Sequence, residues 1–312
     1  MKKYEPEGKL FESKDNLFYI SSADGLREAM RKDEIIEARV KICDSERNMI
    51  VDLPCGKGII AKNDGAIGIE DGTTKPIALI TKVNKPVAFK VKQVDIDEDG
   101  KVTATLSRKE AQIECMLEYV NKLSPGDVIP ARVTHMDTFG AFVDIGCGIP
   151  SLIPIAAISV SRISHPSDRF TVNQDIFVIV QEFKEDGKIN LSHKELLGTW
   201  DENADQFCND ETVCGVVRSI ENYGVFIELT PNLAGLADHN PLIPAEVGQR
   251  ATVHIKAIIP EKMKIKLNIV SMSDNDCKNE PLHYFISSGN IEHWRYSSDE
   301  CDKIIESYFP SI

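Results

Sequence analysis

The second half of the chain repeats itself. The segment "DVIPARVTHMDTFGAFVDI" (127–145) lies over "ETVCGVVRSIENYGVFIEL" (211–229) without a gap, at a constant offset of 84. Phe139 meets Tyr223, Gly140 meets Gly224 and Phe142 meets Phe226. Further on, "DGKINLSHKE" (186–195) lies over the stretch that contains "KIKLNIV" (264–270). Lys188 meets Lys264 there, and the offset has fallen to 76. The later copy is shorter in its long connection. A chain that repeats in this way builds one small module more than once, so the fold of the module decides the fold of the protein.

A fainter copy lies upstream. "IVDLPCGKGII" (50–60) resembles "FVDIGCGIPSLI" (142–153), with Cys55 on Cys147, and "DEDGKVTATLSRKEA" (97–111) resembles "KEDGKINLSHKEL" (184–196). Its front half differs, because Arg47 and Ile50 stand where the other copies carry the two rings.

Each of the two better copies reads as five short strands. Val128–His135 and Phe139–Ile145 alternate apolar and polar residues around a turn at Met136–Thr138. A brief Leu152–Ile155 strand follows, then the long connection "AAISVSRISHPSDRFTVNQD". Ile176–Phe183 and Lys188–Ser192 flank "KEDG", a hairpin signal. Five strands in about 70 residues suit a small Greek-key barrel of the oligonucleotide-binding type. Between the copies, "LSRKEAQIECMLEYVNKLSPGD" and "LSHKELLGTWDENADQFCNDE" read as short helices, the first with Ala111, Cys115, Tyr119 and Leu123 at helical spacing and Pro125-Gly126 as its stop. A further helix is expected to start near Ser22 or Asp24. The expected organisation is an N-terminal extension (1–33), a degenerate barrel (34–111), two good barrels (124–196 and 210–272) and a C-terminal appendage (273–312) with a short helical ending. The fold class is all-β with short linking helices.

Composition bounds the function. The 312 residues carry a net charge of -13, which argues against indiscriminate binding of nucleic acid and directs attention to local basic patches. No apolar run approaches the roughly 20 residues of a membrane-spanning helix. The N-terminus "MKKYEPEGKLFESKDN" has two lysines with no apolar core behind them, so no signal peptide is expected and a cytoplasmic location is the default. Eight cysteines include no C-x-x-C pair; reduced thiols acting as small hydrophobes are the expectation, not a zinc site.

The parts together resemble the RNA-binding repeat of ribosomal protein S-one: Gly-Asp before a strand, Phe-Gly-x-Phe-Val-x-Ile, Gly-x-x-x-Leu-Ile-Pro, then Asp-Gly-Lys-Ile-x-Leu-Ser-x-Lys-Glu. The resemblance covers residues 125–272 well and 34–111 weakly. It implies tandem five-stranded barrels that hold single-stranded RNA on the face of their second and third strands. The family's aromatic pair falls on Phe139 and Phe142, and on Tyr223 and Phe226; its basic residue before the last strand falls on Lys188 and Lys264. Its frequent histidine is replaced by Pro154 and Asp238, and the aspartate weakens the expectation for the third copy. The family places such a protein in translation, binding mRNA at the small ribosomal subunit, and by analogy the first copy docks onto a protein.

Exposed rings suit stacking of bases, which is sequence-tolerant and amounts to about 1–3 kcal/mol per base. Residues 139 and 142 are three apart, so in an ideal strand they face opposite sides. A turn or bulge at Gly140 is needed to bring them together. The expected RNA-binding cations are Arg132, His135, Arg162, His165, Arg169 and Lys188 in the second copy, with His193 and Lys194 nearby, and Arg218 and Lys264 in the third. "DIDEDG" (95–100) lacks the length of a calcium loop and reads as a hairpin turn. "GCGIPS" is not a nucleophile elbow, and no P-loop or H-E-x-x-H is present. No catalytic residues, cofactor or metal are expected, and the chain reads as a non-enzyme. The rival reading, supported by the acidic charge, is a protein-interaction scaffold or a regulator acting off the ribosome.

Overall fold

The structure is a computed structural model and describes residues 4–184, 187–273 and 281–310. Part of the expected "KEDG" turn (Glu185, Asp186) and Cys277 lie outside the described residues. Contacts divide the chain into two compact units. The first is Met1–Leu123 with Pro130–Arg132 and Asp144–Pro150, and the second is Ser124–Ile129, Val133–Val143 and Ser151–Ile312.

Three closed five-stranded barrels follow one another. The first uses β1 (Ile36–Cys43), β2 (Met49–Leu53), β3 (Gly56–Ile60), β4 (Pro86–Ile96) and β5 (Val102–Ser107). The second uses β6 (Val128–Asp137), β7 (Gly140–Asp144), β8 (Pro150–Pro154), β9 (Asp175–Phe183) and β10 (Ile189–Ser192). The third uses β11 (Thr212–Glu221), β12 (Gly224–Thr230), β13 (Leu233–Ala237), β14 (Arg250–Ile259) and β15 (Lys264–Ser273). All three share one strand order, first-second-third-fifth-fourth, with the fourth closing onto the first. The third and fifth strands pair in parallel, as in Leu236 opposite Lys266, and the first and second pair antiparallel, as in Val216 opposite Glu228. Closure removes sheet edges that would otherwise expose unpaired backbone groups. A tandem oligonucleotide-binding-type architecture is therefore present in all three copies, including the degenerate one.

Alternation fills the barrels. Along β6, Ile129, Ala131 and Val133 point inward, and Val143, Ile153, Val178, Val180 and Leu191 complete a solvent-free interior. Burying side chains of this size stabilises by about 1.5–3 kcal/mol each. In the third barrel Val217, Ile227, Val253, Ile255 and Leu267 do the same work, joined by Trp200 and Trp294. The "DIDEDG" stretch closes the β4–β5 hairpin, with Asp97 Oδ1 accepting the N–H groups of Asp99 and Lys101.

Helices decorate the barrels. The N-terminal extension holds two: α1 (Lys14–Ile20), which the sequence reading did not anticipate, and α2 (Ala23–Lys32), capped by Ser22 as expected. A short α3 (Ile77–Ile80) lies in the connection of the first barrel. α4 (Arg108–Glu118) is capped by Ser107 and buries Ala111 and Cys115, but Tyr119 ends it and a 3-10 turn follows, so the helical spacing out to Leu123 overshoots. α5 (Trp200–Ala204) opens with a capping box from Thr199 and Glu202. The tail does not end in a helix: β16 (His293–Arg295) pairs with β17 (Glu306–Tyr308). Cys115, Cys147 and Cys301 are buried as small hydrophobes, whereas Cys208 and Cys214 are exposed.

The first unit is organised around Glu7. Its carboxylate pairs with Arg108 (Nε to Oε1, 2.6 Å) and Lys82 (Nζ to Oε2, 2.7 Å) while only 7% exposed. Its N–H donates to Asp144 Oδ2 at 2.7 Å, and Arg132 Nη1 donates to its carbonyl at 3.0 Å. Burial pushes the Glu7 carboxyl up, but Arg108 and Lys82 outweigh that and hold it at about 2. Removing one partner from such a pair leaves a buried charge uncompensated. Glu7→Ala is therefore expected to destabilise the first unit by about 3–5 kcal/mol. Urea unfolding followed by circular dichroism checks this. Tryptophan emission should move less, because Trp200 and Trp294, the two tryptophans of the chain, both lie in the second unit.

Candidate nucleic-acid interface

Both rings of each aromatic pair come to the surface because the first of them is not in a strand. β6 runs to Asp137 and β7 starts at Gly140, so Thr138 and Phe139 form the turn. In the third barrel Glu221 pairs with Gly224, and Asn222 and Tyr223 form a two-residue loop. A turn residue escapes the strict alternation of a strand, so no bulge at the glycine is needed. The register shift in the third barrel falls instead on the first strand, between Val217 and Ser219.

The glycine has a different task. A Cβ on Gly140 would lie 2.4 Å from the carbonyl oxygen of Ile153, and one on Gly224 would lie 2.6 Å from that of Ala237. The third strand crosses so close to the start of the second that only glycine fits. The ring before the glycine is thereby carried out over the edge of the barrel.

Phe139 is 51% exposed and meets the half-buried Phe142 edge-to-face, with ring centroids 5.8 Å apart. Tyr223 is 67% exposed and meets Phe226 the same way at 6.1 Å. In the second barrel the exposed His135 adds a ring nearly parallel to Phe142, 6.1 Å away and tilted by 21°. Two barrels that differ in nearly every surface residue thus present the same perpendicular ring pair. The first barrel has Arg47 in its corresponding turn (φ 71°) and Ile50 in the strand.

The expected cations divide into two groups. Arg162, Lys188 and Lys264 are exposed. His135 is exposed as well, whereas Arg132, His165, Arg169 and Arg218 are engaged by protein groups. Arg132 lies in the first unit and holds the Glu7 carbonyl. His165 caps the 3-10 turn Pro166–Asp168, its Nδ1 accepting from Ser167 N–H. Arg169 and Arg218, expected on the RNA face, converge on the buried Glu228 instead. Arg169 is 3% exposed and gives Nη2 to Glu228 Oε2; Arg218 grips the same carboxylate with Nε and Nη2 at 3.0 and 3.1 Å. Burial leaves the Arg169 guanidinium below the usual arginine range although Glu228 opposes the shift. The sequence signal for this cluster was present: Glu228 stands at the repeat position of Asp144, a carboxylate kept in both copies.

His193 is not part of any basic patch. It is fully buried, with Nδ1 2.8 Å from the Ile158 carbonyl and Nε2 3.1 Å from the Tyr284 hydroxyl. A carbonyl only accepts, so Nδ1 carries the proton and Nε2 accepts from the tyrosine. Burial drives its pKa down to about 4, and the charge of Arg169 adds to the effect.

Residues 122–194, the second barrel and the turn before it, match the family described as "S1 RNA binding domain". Among curated relatives, the small ribosomal subunit protein bS1 of Staphylococcus haemolyticus (strain JCSC1435) is 29% identical over 269 residues, 82% of this chain and 66% of the relative. The bS1 of Leuconostoc lactis is 28% identical over 234 residues, 70% of this chain and 54% of the relative. The chain spans between about half and two thirds of the length of these relatives. A solved multidomain protein with nucleic-acid-binding domains from Streptococcus pneumoniae aligns over 79% of this chain and 76% of its own at 13% identity, with a TM-score of 0.26. That likeness is too low to carry the fold assignment, which rests on the strand pairing above. The fold is a tandem of three five-stranded barrels of the oligonucleotide-binding type, the second of which is an S1 RNA-binding domain. Over most of its length the chain is similar to the bS1 ribosomal proteins.

The placement of His193 has a pH consequence. Its folded pKa is depressed, so its contribution to stability is complete above the unfolded value near 6.5 and is lost as pH falls towards 4. Between pH 7 and pH 5 the second unit should lose about 2 kcal/mol from this group. Unfolding followed by tryptophan emission measures it, and His193→Gln should flatten the dependence over that interval.

Proposed function

We propose that the chain binds single-stranded RNA on the ring pairs of its second and third barrels, in the cytoplasm, as an mRNA-binding protein of translation that works at the small ribosomal subunit. The observation that carries this reading is the recurrence of one geometry: an exposed turn ring, perpendicular to a strand ring, beside a glycine that only close strand contact requires. Packing alone supplies no reason to expose Phe139 and Tyr223 at corresponding positions. The names of the curated relatives support the ribosomal setting. The chain acts here by binding, with no chemical step.

The charge distribution sets the character of the binding. With Arg169, Arg218 and Arg132 engaged inside the protein, stacking supplies most of the affinity and few phosphates are neutralised. Two phosphate contacts, for example one from Arg162 and one from Lys264, give a log–log salt slope of about -1.4 on a single strand. Linking two weak platforms raises affinity through effective concentration.

Fluorescence anisotropy with a labelled single-stranded RNA of mixed sequence tests the reading. Phe139→Ala with Phe142→Ala is expected to weaken binding about ten- to a hundredfold, at about 1–3 kcal/mol per base released, with a shallow salt slope in both proteins. Tyr223→Ala should weaken it less, because Asp238 lies at the edge of that barrel. Absence of binding by the wild-type chain at low salt refutes the proposal. Co-sedimentation with small ribosomal subunits tests the ribosomal setting separately.

A further inference from the structure

The second barrel carries a ring that the third lacks. His135 stands on β6, is exposed, and holds its imidazole nearly parallel to the ring of Phe142, with centroids 6.1 Å apart and planes 21° from each other. At the repeat offset of 84 the third barrel has Ser219 in this place. The pairing of β11 with β12 shows which way the position faces. Val217 points into the core, so strict alternation would send residue 219 inward as well. The register shifts by one residue between Val217 and Ser219, and Ser219 lies directly opposite Phe226, the ring that corresponds to Phe142. β6 shows the same inversion: Val133 is fully buried, and His135, two residues on, is exposed. The position thus belongs to the ring face in both barrels, and only the second barrel fills it with an aromatic side chain.

Ring orientation decides what this addition does. Phe139 meets Phe142 with planes 88° apart, and Tyr223 meets Phe226 at 90°. Bases lying flat on the two rings of either pair are therefore perpendicular to each other. His135 and Phe142 instead offer planes that are close to parallel, so bases lying flat on these two are close to parallel too. At 6.1 Å the two rings already have the spacing of a stacked aromatic pair, and a base reaches them from outside rather than between them. Histidine is among the side chains on which unpaired RNA bases stack.

We propose that His135 is a base-stacking residue, and that the second barrel therefore holds one more base of a single-stranded RNA than the third. The inference rests on the RNA-binding reading above and specifies how the two platforms differ. The contact is between flat faces, so it adds affinity without adding a neutralised phosphate.

Fluorescence anisotropy of the full chain with a labelled single-stranded RNA of mixed sequence, at several salt concentrations, provides the test. His135→Ser, which installs the third barrel's residue, is expected to weaken binding about tenfold with the salt slope and the circular dichroism spectrum unchanged. His135→Phe keeps a ring and should bind within about twofold of the wild type. His135→Lys keeps a cationic side chain without a ring and should bind no better than His135→Ser. The inference is overturned if His135→Lys binds as tightly as His135→Phe, or if His135→Ser makes the salt slope shallower by about 0.7, the mark of a lost phosphate contact. It is overturned alone, with the RNA-binding reading intact, if Phe139→Ala with Phe142→Ala weakens binding while His135→Ser binds like the wild type. Absence of binding by the wild-type chain overturns both.

Discussion

No side chain fits between the start of the second strand and the backbone of the third. The carbonyl oxygens of Ile153 and Ala237 occupy the space that a Cβ on Gly140 or Gly224 would need. This contact lets the hairpin turn as tightly as it does, and the tight turn lifts Phe139 and Tyr223 off the barrel. The ring that follows, Phe142 or Phe226, is anchored in the strand and meets the lifted ring at a right angle. The perpendicular ring pair is thus a by-product of barrel closure plus a choice of two aromatic residues. The first barrel shows the converse: it closes in the same order, yet without the rings it offers no such platform.

A second constraint is the carboxylate two residues further along the second strand. Asp144 accepts the N–H of Glu7 and so organises the polar interior of the first unit, where Glu7 is held by Arg108 and Lys82. Glu228, at the equivalent repeat position, gathers Arg169 and Arg218 in the second unit. Buried ion pairs of this kind contribute little net stability compared with apolar packing, but breaking one is costly, so they select one arrangement over its alternatives. They also withdraw arginines from the surface. In the second unit this holds Arg169 and Arg218 on Glu228 while Arg162 stays exposed.

The sequence by itself determined the repeat, the five-strand module, the helix start near Ser22 and the ring pairs with their intervening glycines, because each is a local pattern of spacing and residue type. It also carried the family resemblance on contiguous motifs. It did not reveal that Phe139 belongs to the turn, because a shift of two residues at a strand end leaves the alternation almost unchanged. Nor did it reveal that Arg169, Arg218 and His193 are buried: a charged residue reads alike in a sequence whether its partner is water or Glu228, which lies 59 residues from Arg169. Helix α1 and the tail strands β16 and β17 were missed for a related reason, being too short for periodicity to register. Only tertiary structure decided which cations face solvent, because burial and ion pairing join residues distant in the chain.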